Sequence, residues 1–142
     1  MKAPVAILVA DDDQEDRQLI RDALQESRLL NPVEFVNDGE ALMSYLKSTK
    51  ELPGLILLDL NMPKKDGREA LQEIKSDPRL KRIPVIILTT SKAEEDVYRT
   101  YNLGVNSFIS KPVTFSELVK VLGDVAHYWF EIVRLPAGGT ER

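Results

Sequence analysis

The sequence predicts an α/β domain in which helices cover both faces of one parallel β-sheet. Two features of the chain lead to this prediction. Short continuous apolar runs that are rich in Val and Ile recur along the chain, and such runs are typical of strands buried on both faces. Segments with apolar residues at helical spacing lie between these runs, and that alternation implies βαβ units.

The first half of the chain carries three predicted strands and two predicted helices. Residues 5–10 and 55–58 are strong strand candidates, and residues 33–36 form a weaker one. The first helix has apolar residues at helical spacing, namely Leu19, Ile20, Ala23 and Leu24. It stops at Asn31–Pro32, because the residue before a proline avoids the α region. Asp38 is suited to cap the second helix.

The second half carries two further strands and three further helices. The strands are predicted over residues 85–88 and 108–109. Asp66–Gly67 turns into the third helix, and the fourth helix, Glu94–Leu103, is closed by Gly104, the usual residue at a helix C′ position. Thr114 caps the fifth helix, with Glu117 placed as in a capping box.

Five strands and five helices in strict alternation leave few topologies, because crossovers between parallel strands are right-handed. We predict a flavodoxin-like (βα)5 fold, which is a doubly wound parallel five-stranded sheet with strand order 2-1-3-4-5. Residues 1–135 are predicted to form this one domain, with an extended C-terminal helix. The tail, residues 136–142, is predicted to be disordered.

Composition and charge argue against several classes of function. The formal net charge of −4 argues against a general nucleic-acid surface. No segment is long and apolar enough to span a bilayer, and the N-terminus has no secretory pattern. The absence of cysteine fits a reducing compartment. We therefore expect a cytoplasmic protein without direct nucleic-acid or membrane partners.

Acidic residues follow two of the buried strands. Asp11, Asp12 and Asp13 come directly after the first strand, and Asp59 follows the third. A helix cap explains Asp13, but Asp11 and Asp12 gain nothing from packing there. Ligands of parallel sheets bind beyond the carboxyl ends of the strands, where several carboxylates need a cation to offset their repulsion. Magnesium is the predicted ion, and the carbonyl of Asn61 is well placed as a further ligand.

A hydroxyl and an ammonium group follow the last two strands, at the same carboxyl ends of the sheet as the acidic residues. Thr89 follows the fourth strand, and Lys111 follows the fifth and precedes Pro112. The proline allows a cis peptide bond that would fix the direction of the lysine, and a fixed ammonium can neutralise a phosphoryl oxygen. The Asp59 carboxylate can form an aspartyl phosphate, although Asp59 and Thr89 are also common turn residues. The set as a whole suits magnesium-assisted phosphoryl transfer.

Over about residues 5 to 130 the chain resembles the receiver domains of two-component response regulators. The matching pieces are Asp11–Asp12, residues 59–63, Asp66–Gly67, Thr89 and Lys111–Pro112. The resemblance implies that Asp59 accepts a phosphoryl group from a phosphohistidine on a sensor histidine kinase.

The same resemblance implies roles for the neighbours of Asp59. It implies a magnesium site formed by Asp12, Asp59 and the Asn61 carbonyl, with Asp11 helping through water. It implies that the phosphoryl oxygens are contacted by Thr89 and Lys111. The family's aromatic switch position falls on Phe108, for which plain packing in an edge strand is an equally simple role.

The last helix departs from the minimal receiver pattern. We predict that it continues to about Arg134, with apolar residues on more than one face, whereas packing on a sheet needs only one stripe. Residues 128–136 resemble the end of stand-alone response regulators that partner phytochrome photoreceptor kinases. We expect a homodimer built on this helix, through Val121, Tyr128, Trp129 and Ile132. Contact with a kinase, or wrapping back on the domain itself, is the alternative.

The favoured function is a stand-alone response regulator, a binding module switched by phosphorylation rather than an enzyme that turns over. The alternative is a magnesium-dependent phosphohydrolase that forms an aspartyl phosphate. Such enzymes commonly carry a second carboxylate two residues after the nucleophile as general acid or base, and here that residue is Asn61. A purely structural interaction domain would not need Asp12, Asp59 and Lys111 together. The sequence identifies neither the kinase nor the downstream protein target.

Overall fold

The structure, a computed structural model, describes residues 5–135 of the chain. Its strands are β1 (Ile7–Ala10), β2 (Val33–Val36), β3 (Leu55–Leu58), β4 (Val85–Thr89) and β5 (Ser107–Ser110). Its helices are α1 (Gln14–Glu26), α2 (Gly39–Ser48), α3 (Gly67–Ser76), α4 (Glu94–Leu103) and α5 (Phe115–His127), and a π-helical turn (Tyr128–Ile132) follows α5. The predicted tail over 136–142 lies outside the described residues. No helix within residues 5–135 has the length and apolar character needed to cross a membrane.

The five strands lie parallel in one sheet with the order β2-β1-β3-β4-β5. This order confirms the predicted flavodoxin-like, doubly wound fold. Helices α1 and α5 pack together on one face, and α2, α3 and α4 pack in sequence on the other. The chain order reverses beside β1, which pairs with both β2 and β3. A crevice at the carboxyl ends of these strands is where such sheets bind ligands.

The central strands are buried on both faces, as their continuous apolar runs predict. In β1, Leu8 and Ala10 face the cluster under α2 and α3, whereas Ile7 and Val9 face the cluster under α1 and α5. Every residue of β1, β3 and β4 is buried, while the edge strands β2 and β5 are only partly buried. The two apolar clusters therefore fix the carboxyl ends of β1, β3 and β4 relative to one another.

Side-chain caps set where the helices begin at this edge of the sheet. Asp13 and Asp38 accept hydrogen bonds from amides in the first turns of α1 and α2, as predicted. Asp66 forms a complete capping box at the start of α3. Thr114 accepts from the Glu117 amide at 3.2 Å, but the Glu117 carboxylate accepts from the Thr114 hydroxyl at 3.1 Å. The predicted box at α5 is thus only half formed, because the glutamate engages the hydroxyl.

The C-terminal helix differs from the prediction in its last turns. The α-helix ends at His127, and the following π-helical turn ends where the Val133 amide donates to the Tyr128 carbonyl at 2.8 Å. The helical segment therefore continues beyond His127, but its last turn is π-helical and it ends at Ile132 rather than at about Arg134. Trp129 and Phe130, which are adjacent in sequence, both pack against the cluster under α1 and α5. A wider turn brings neighbouring residues closer together around the helix axis, which lets both reach that cluster.

Candidate functional site

Three carboxylates meet at the carboxyl ends of β1 and β3. Asp11 and Asp12 follow β1, and Asp59 follows β3, its neighbour in the sheet. One carboxylate oxygen of each lies within 4.8 Å of the others. Asp11 and Asp59 are buried and Asp12 is exposed. We name these three residues the acidic site. Carboxylate oxygens with an open side toward water are the ligand atoms that hard divalent cations prefer.

The surroundings of the Asp11 carboxyl in the acidic site raise its pKa. Burial raises its pKa above the ordinary value, and the Asp59 carboxylate adds a smaller upward shift. Hydrogen bonds from the Lys111 ammonium and from the Asp13 amide, the latter at 2.9 Å, oppose the rise. A raised pKa means that the surroundings destabilise the ionised form of the carboxyl. A nearby cation stabilises that ionised form. The chemistry of the acidic site therefore fits a divalent metal ion.

Both oxygens of Asp59 have a polar partner. The buried Thr89 hydroxyl, at the end of β4, donates to Oδ1 at 2.7 Å. The Lys111 ammonium lies 3.5 Å from Oδ2, and the Asn61 amide is a weak donor to Oδ1 at 3.4 Å. Asp59 is thus a buried carboxylate between a hydroxyl and an ammonium group, as the alignment of strand ends predicts.

Lys111 lies among the carboxylates rather than in solvent. Its Nζ is 2.7 Å from Asp11, 2.7 Å from Asp16 and 3.5 Å from Asp59. Burial lowers the pKa of Lys111, but the hydrogen bonds to Asp11 and Asp16 outweigh this effect and raise its pKa above the ordinary value. The peptide bond to Pro112 is trans, since residues 5–135 contain no cis bond. The expected cis bond is therefore absent, and the ion pairs fix the direction of the lysine instead.

Asp16 is a site residue that the sequence analysis missed. It lies in the first turn of α1, and its carboxylate accepts from Lys111 at 2.7 Å across the crevice. The available signal was its position in the first turn of the helix that directly follows the acidic strand end, where acidic residues are common in any case because they interact favourably with the helix dipole. Its pairing with a lysine 95 residues later in the chain leaves no local trace in the sequence.

Comparison with known proteins identifies the family. The family model described as the response regulator receiver domain matches residues 7–123. The chain belongs to the response regulator receiver domain family. The response regulator Rcp1 of Synechocystis sp. is 43% identical over 139 residues, which cover 94% of this chain and 95% of Rcp1.

Solved structures of relatives share this receiver fold. The phosphorylated cyanobacterial phytochrome response regulator RcpA has 43% identity and a TM-score of 0.89, over 94% of this chain and 99% of RcpA. The Mn²⁺-bound form of Rcp1 has 42% identity and a TM-score of 0.87, over 94% of this chain and 100% of Rcp1. This receiver domain therefore resembles proteins that are described as phosphorylated in one case and metal-bound in the other.

The predicted metal ligand Asn61 lies in the loop of the receiver domain that joins β3 to α3. Gly67 holds this loop, because its amide donates to the Leu60 carbonyl at 2.9 Å. A Cβ atom on Gly67 would lie 2.7 Å from Leu60 Cα and would overlap the Asp59 carbonyl. Only glycine allows the start of α3 to approach so closely. Of the Asp66–Gly67 pair of the sequence, Gly67 is thus explained by packing beneath the acidic site, and Asp66 by its role as the N-cap of α3.

The remaining predicted residues of the receiver domain lie away from the acidic site. Phe108 is in the middle of β5, partly buried against the cluster under α2 and α3, and its amide donates to the Tyr101 hydroxyl at 3.2 Å. The predicted dimer residues are Val121, Tyr128, Trp129 and Ile132, on α5 and the π-helical turn. Leu135, just after that turn, packs near Gly54, which precedes β3. Leu135 therefore lies near the amino end of β3, whereas Asp59 follows the carboxyl end of that strand.

Proposed function

We propose that this receiver domain is a phosphorylation-switched response regulator whose phosphoacceptor is Asp59. The observation that carries the proposal is the setting of this carboxylate. It is buried, it accepts from Thr89 at 2.7 Å, and it lies 3.5 Å from the Lys111 ammonium within an acidic site that fits a divalent cation. The proposed donor is a phosphohistidine on a sensor histidine kinase.

The transfer is a substitution at phosphorus. An Asp59 carboxylate oxygen forms a bond to phosphorus while the bond from phosphorus to the imidazole nitrogen of the donor breaks. The imidazole keeps the electron pair of the broken bond, and Asp59 becomes an acyl phosphate with more negative charge. Thr89 and Lys111 are the side-chain donors to the Asp59 carboxylate, and a charge-assisted hydrogen bond from Lys111 stabilises a phosphoryl oxygen.

The proposed metal is Mg²⁺. Asp12, Asp59 and the Asn61 carbonyl would hold it directly, and Asp11 would contribute through water. When bound, Mg²⁺ supplies charge neutralisation for the phosphoryl oxygens. The Mn²⁺-bound structure of the similar Rcp1 supports a divalent ion at a site of this kind. Burial raises the pKa of Asp11. A bound Mg²⁺ would therefore stabilise the negative charge of this residue.

The proposed switch joins Thr89 to Phe108. A phosphoryl oxygen on Asp59 competes for the Thr89 hydroxyl, which now donates to Asp59 Oδ1. Movement of Thr89 would change the space beside β5, where Phe108 is only partly buried. A local charge would thereby bias a two-state element at the edge of the sheet. Phenylalanine in this position can change rotamer but has no hydroxyl to offer to a partner.

The proposed kinase is a phytochrome-type photoreceptor. Support comes from the 43% identity to RcpA, which is described as a cyanobacterial phytochrome response regulator. The test is transfer from purified, autophosphorylated histidine kinases that share a genome with this protein. A phytochrome kinase should transfer to this chain faster than the other kinases do, and preferential transfer from a kinase without a photoreceptor module would contradict the assignment.

We also propose a homodimer formed by α5 and the π-helical turn. Tyr128 and Ile132 are 51% and 62% exposed, and the Tyr128 ring meets the edge of the half-buried Trp129 ring at 5.4 Å. Val121, half-buried on α5, extends this apolar surface. Burial of apolar area contributes about 25 cal/mol per Å², and a two-fold interface between identical copies is the commonest arrangement in homo-oligomers.

Counting phosphoryl groups distinguishes the proposed switch from a phosphohydrolase. After exposure to a phosphorylated kinase with Mg²⁺, the chain should carry one phosphoryl group that persists long enough to be isolated. Release of many phosphates per chain each second, with no phosphorylated chain recovered, would contradict the switch and favour the enzyme.

A further inference from the structure

A second ion-pair cluster lies beside the acidic site, where α3 and α4 begin. Arg68 on α3 makes a two-point contact with Asp96 on α4, from Nε to Oδ1 and from Nη2 to Oδ2, each at 2.7 Å. The side chains are 19% and 11% exposed, respectively. Parallel N–H···O bonds between guanidinium and carboxylate combine strength with a fixed geometry. The pair therefore joins the starts of two helices that flank the acidic site.

Asp96 also holds the loop between β4 and α4. The Ser91 hydroxyl donates to Asp96 Oδ2 at 2.7 Å. The Ser91 amide makes a long contact with Thr89 Oγ1 at 3.5 Å, and Thr89 donates to Asp59. Polar contacts thus run without a break from Arg68 through Asp96, Ser91 and Thr89 to Asp59. The β4–α4 loop therefore connects Thr89 to Asp96 at the start of α4.

The charges of the pair are permanent near neutral pH. The hydrogen bonds from Arg68 lower the pKa of Asp96 to about 2, against the upward effect of burial, and Ser91 adds to the lowering. The hydrogen bond to Asp96 raises the pKa of Arg68, and the Asp59 carboxylate adds a smaller upward shift. Arg68 follows Gly67, whose backbone packs against the Asp59 carbonyl, so a change of charge on Asp59 acts on Arg68 over a short distance.

We propose that Arg68 and Asp96 form a latch that holds Ser91 and the β4–α4 loop in the arrangement in which Thr89 donates to Asp59. Both are positioning residues, and the proposal rests on phosphorylation of Asp59. A phosphoryl oxygen that draws the Thr89 hydroxyl must move the loop against the latch. The added negative charge also attracts Arg68 and weakens its contact with Asp96. Phosphorylation thereby loosens the start of α4 from α3.

Thermodynamic linkage determines whether loss of the latch favours or opposes phosphorylation of Asp59. The latch favours the unphosphorylated arrangement, so its loss lowers the cost of the phosphorylated one. Latch variants should therefore accept phosphoryl groups faster than the wild type. Their β4–α4 loop should also exchange amide hydrogens faster without any phosphodonor. A merely structural ion pair would leave the labelling rate unchanged or would lower it.

The test uses Arg68→Lys and Asp96→Asn in the full chain. Arg68→Lys keeps the positive charge but loses the two-point contact, and Asp96→Asn keeps the shape but loses the charge. With acetyl phosphate and Mg²⁺, the initial labelling rate by intact-mass spectrometry should rise about fivefold or more in each variant. The double variant should gain little beyond either single one, because both changes break one contact.

The matched control is Glu73→Gln. Glu73, also on α3, pairs with Lys47 at 2.9 Å and with Lys65 at 2.5 Å, and its partners lie away from the β4–α4 loop. This variant should label and exchange as the wild type does. Ser91→Ala removes a single hydroxyl at a half-buried position and should raise the labelling rate in the same direction by a smaller factor. It keeps the test valid if the charge variants fold poorly.

Labelling rates, together with hydrogen exchange over residues 90–96 without a phosphodonor, distinguish failure of the latch from failure of the proposed function. Faster labelling together with faster exchange in both latch variants, with the control unchanged, supports the latch. Wild-type exchange together with wild-type labelling rates in Arg68→Lys, Asp96→Asn and Ser91→Ala would overturn it. If the wild type took no label from any donor, the proposed function would fail, whereas a labelled wild type with no faster labelling in the latch variants would overturn the latch alone.

Discussion

The Thr89 hydroxyl donates to Asp59 Oδ1 at 2.7 Å, and this hydrogen bond joins the carboxyl ends of β3 and β4. Thr89 is fully buried, and its hydroxyl oxygen also lies 3.5 Å from the Ser91 amide in the β4–α4 loop. Thr89 therefore connects Asp59 to that loop.

Thr89→Ala should separate phosphorylation from the response to it. Asp59 keeps its nucleophilic oxygens and its Lys111 neighbour, so the variant should still take a label from acetyl phosphate. The conformational response should be largely lost, because no hydroxyl moves toward the phosphoryl group. Hydrogen exchange over β5 and the β4–α4 loop measures the response. Thr89→Ser keeps the hydroxyl and should respond as the wild type does; a full response in Thr89→Ala would refute the coupling.

Asp12→Ala should bind Mg²⁺ more weakly by more than about tenfold, because it removes a direct oxygen ligand. The variant free of metal should be at least as stable as the wild type, since one of three neighbouring negative charges is gone. Isothermal titration calorimetry measures the affinity. Asp13→Ala removes an acid from the same loop that caps α1 instead, and should keep the wild-type affinity. Equal loss in both variants would point to general charge rather than ligation.

Acidification should remove the stabilising effect of the Asp96 carboxylate. The pKa of Asp96 falls from its ordinary 3.8 to about 2 in the fold, so its stabilisation is complete above the unfolded value and is lost as pH falls through the folded one. At pH 7, Asp96→Asn should lower the free energy of unfolding by on the order of 2 kcal/mol.

The difference between Asp96→Asn and the wild type should shrink between about pH 4 and pH 2. Urea unfolding followed by circular dichroism across this range measures it. The exposed acid Asp124 on α5 supplies the control, because Asp124→Asn should change the stability little at any of these pH values. A difference for Asp96→Asn that stays constant with pH would show that the charge of this residue is not what stabilises the fold.

Ile132→Glu should convert a dimer into monomers while leaving phosphorylation of Asp59 intact. Ile132 is 62% exposed on the π-helical turn and is not part of the acidic site, and a charge there makes burial against a second copy unfavourable. Light scattering at micromolar concentration measures the mass. Val113→Glu changes an even more exposed residue, at the other end of α5, and should stay dimeric. A wild-type mass near 16.0 kDa, with and without phosphate, would contradict the dimer.

The sheet and its site residues could be predicted because their signals are local. Each buried strand is a continuous apolar run, and its polar end follows directly, so the sequence alone predicts that Asp11, Asp59 and Thr89 lie together at the carboxyl ends of the strands. The helix caps Asp13 and Asp38 were equally local. Residue type and position within a strand–loop–helix unit were enough for these assignments.

The contacts that were missed join residues far apart in the chain. Lys111 pairs with Asp16 across 95 positions, and Arg68 pairs with Asp96 across 28, so no local pattern marks either pair. The lysine was expected to be directed by a cis proline, whereas its carboxylate partners direct it. The helical pattern after His127 was predicted, but the change to π-helical hydrogen bonds depends on how Trp129 and Phe130 pack.

The central claim is that Asp59 is the residue that carries the phosphoryl group, and intact-mass spectrometry of Asp59→Asn tests it most directly. With acetyl phosphate and Mg²⁺, the wild type should gain the mass of one phosphoryl group. Asp13→Asn, which removes another carboxylate at the same edge of the sheet, should gain it as well. Asp59→Asn should gain none. Undiminished labelling of Asp59→Asn would contradict the account, because the phosphoryl group would then reside on another residue.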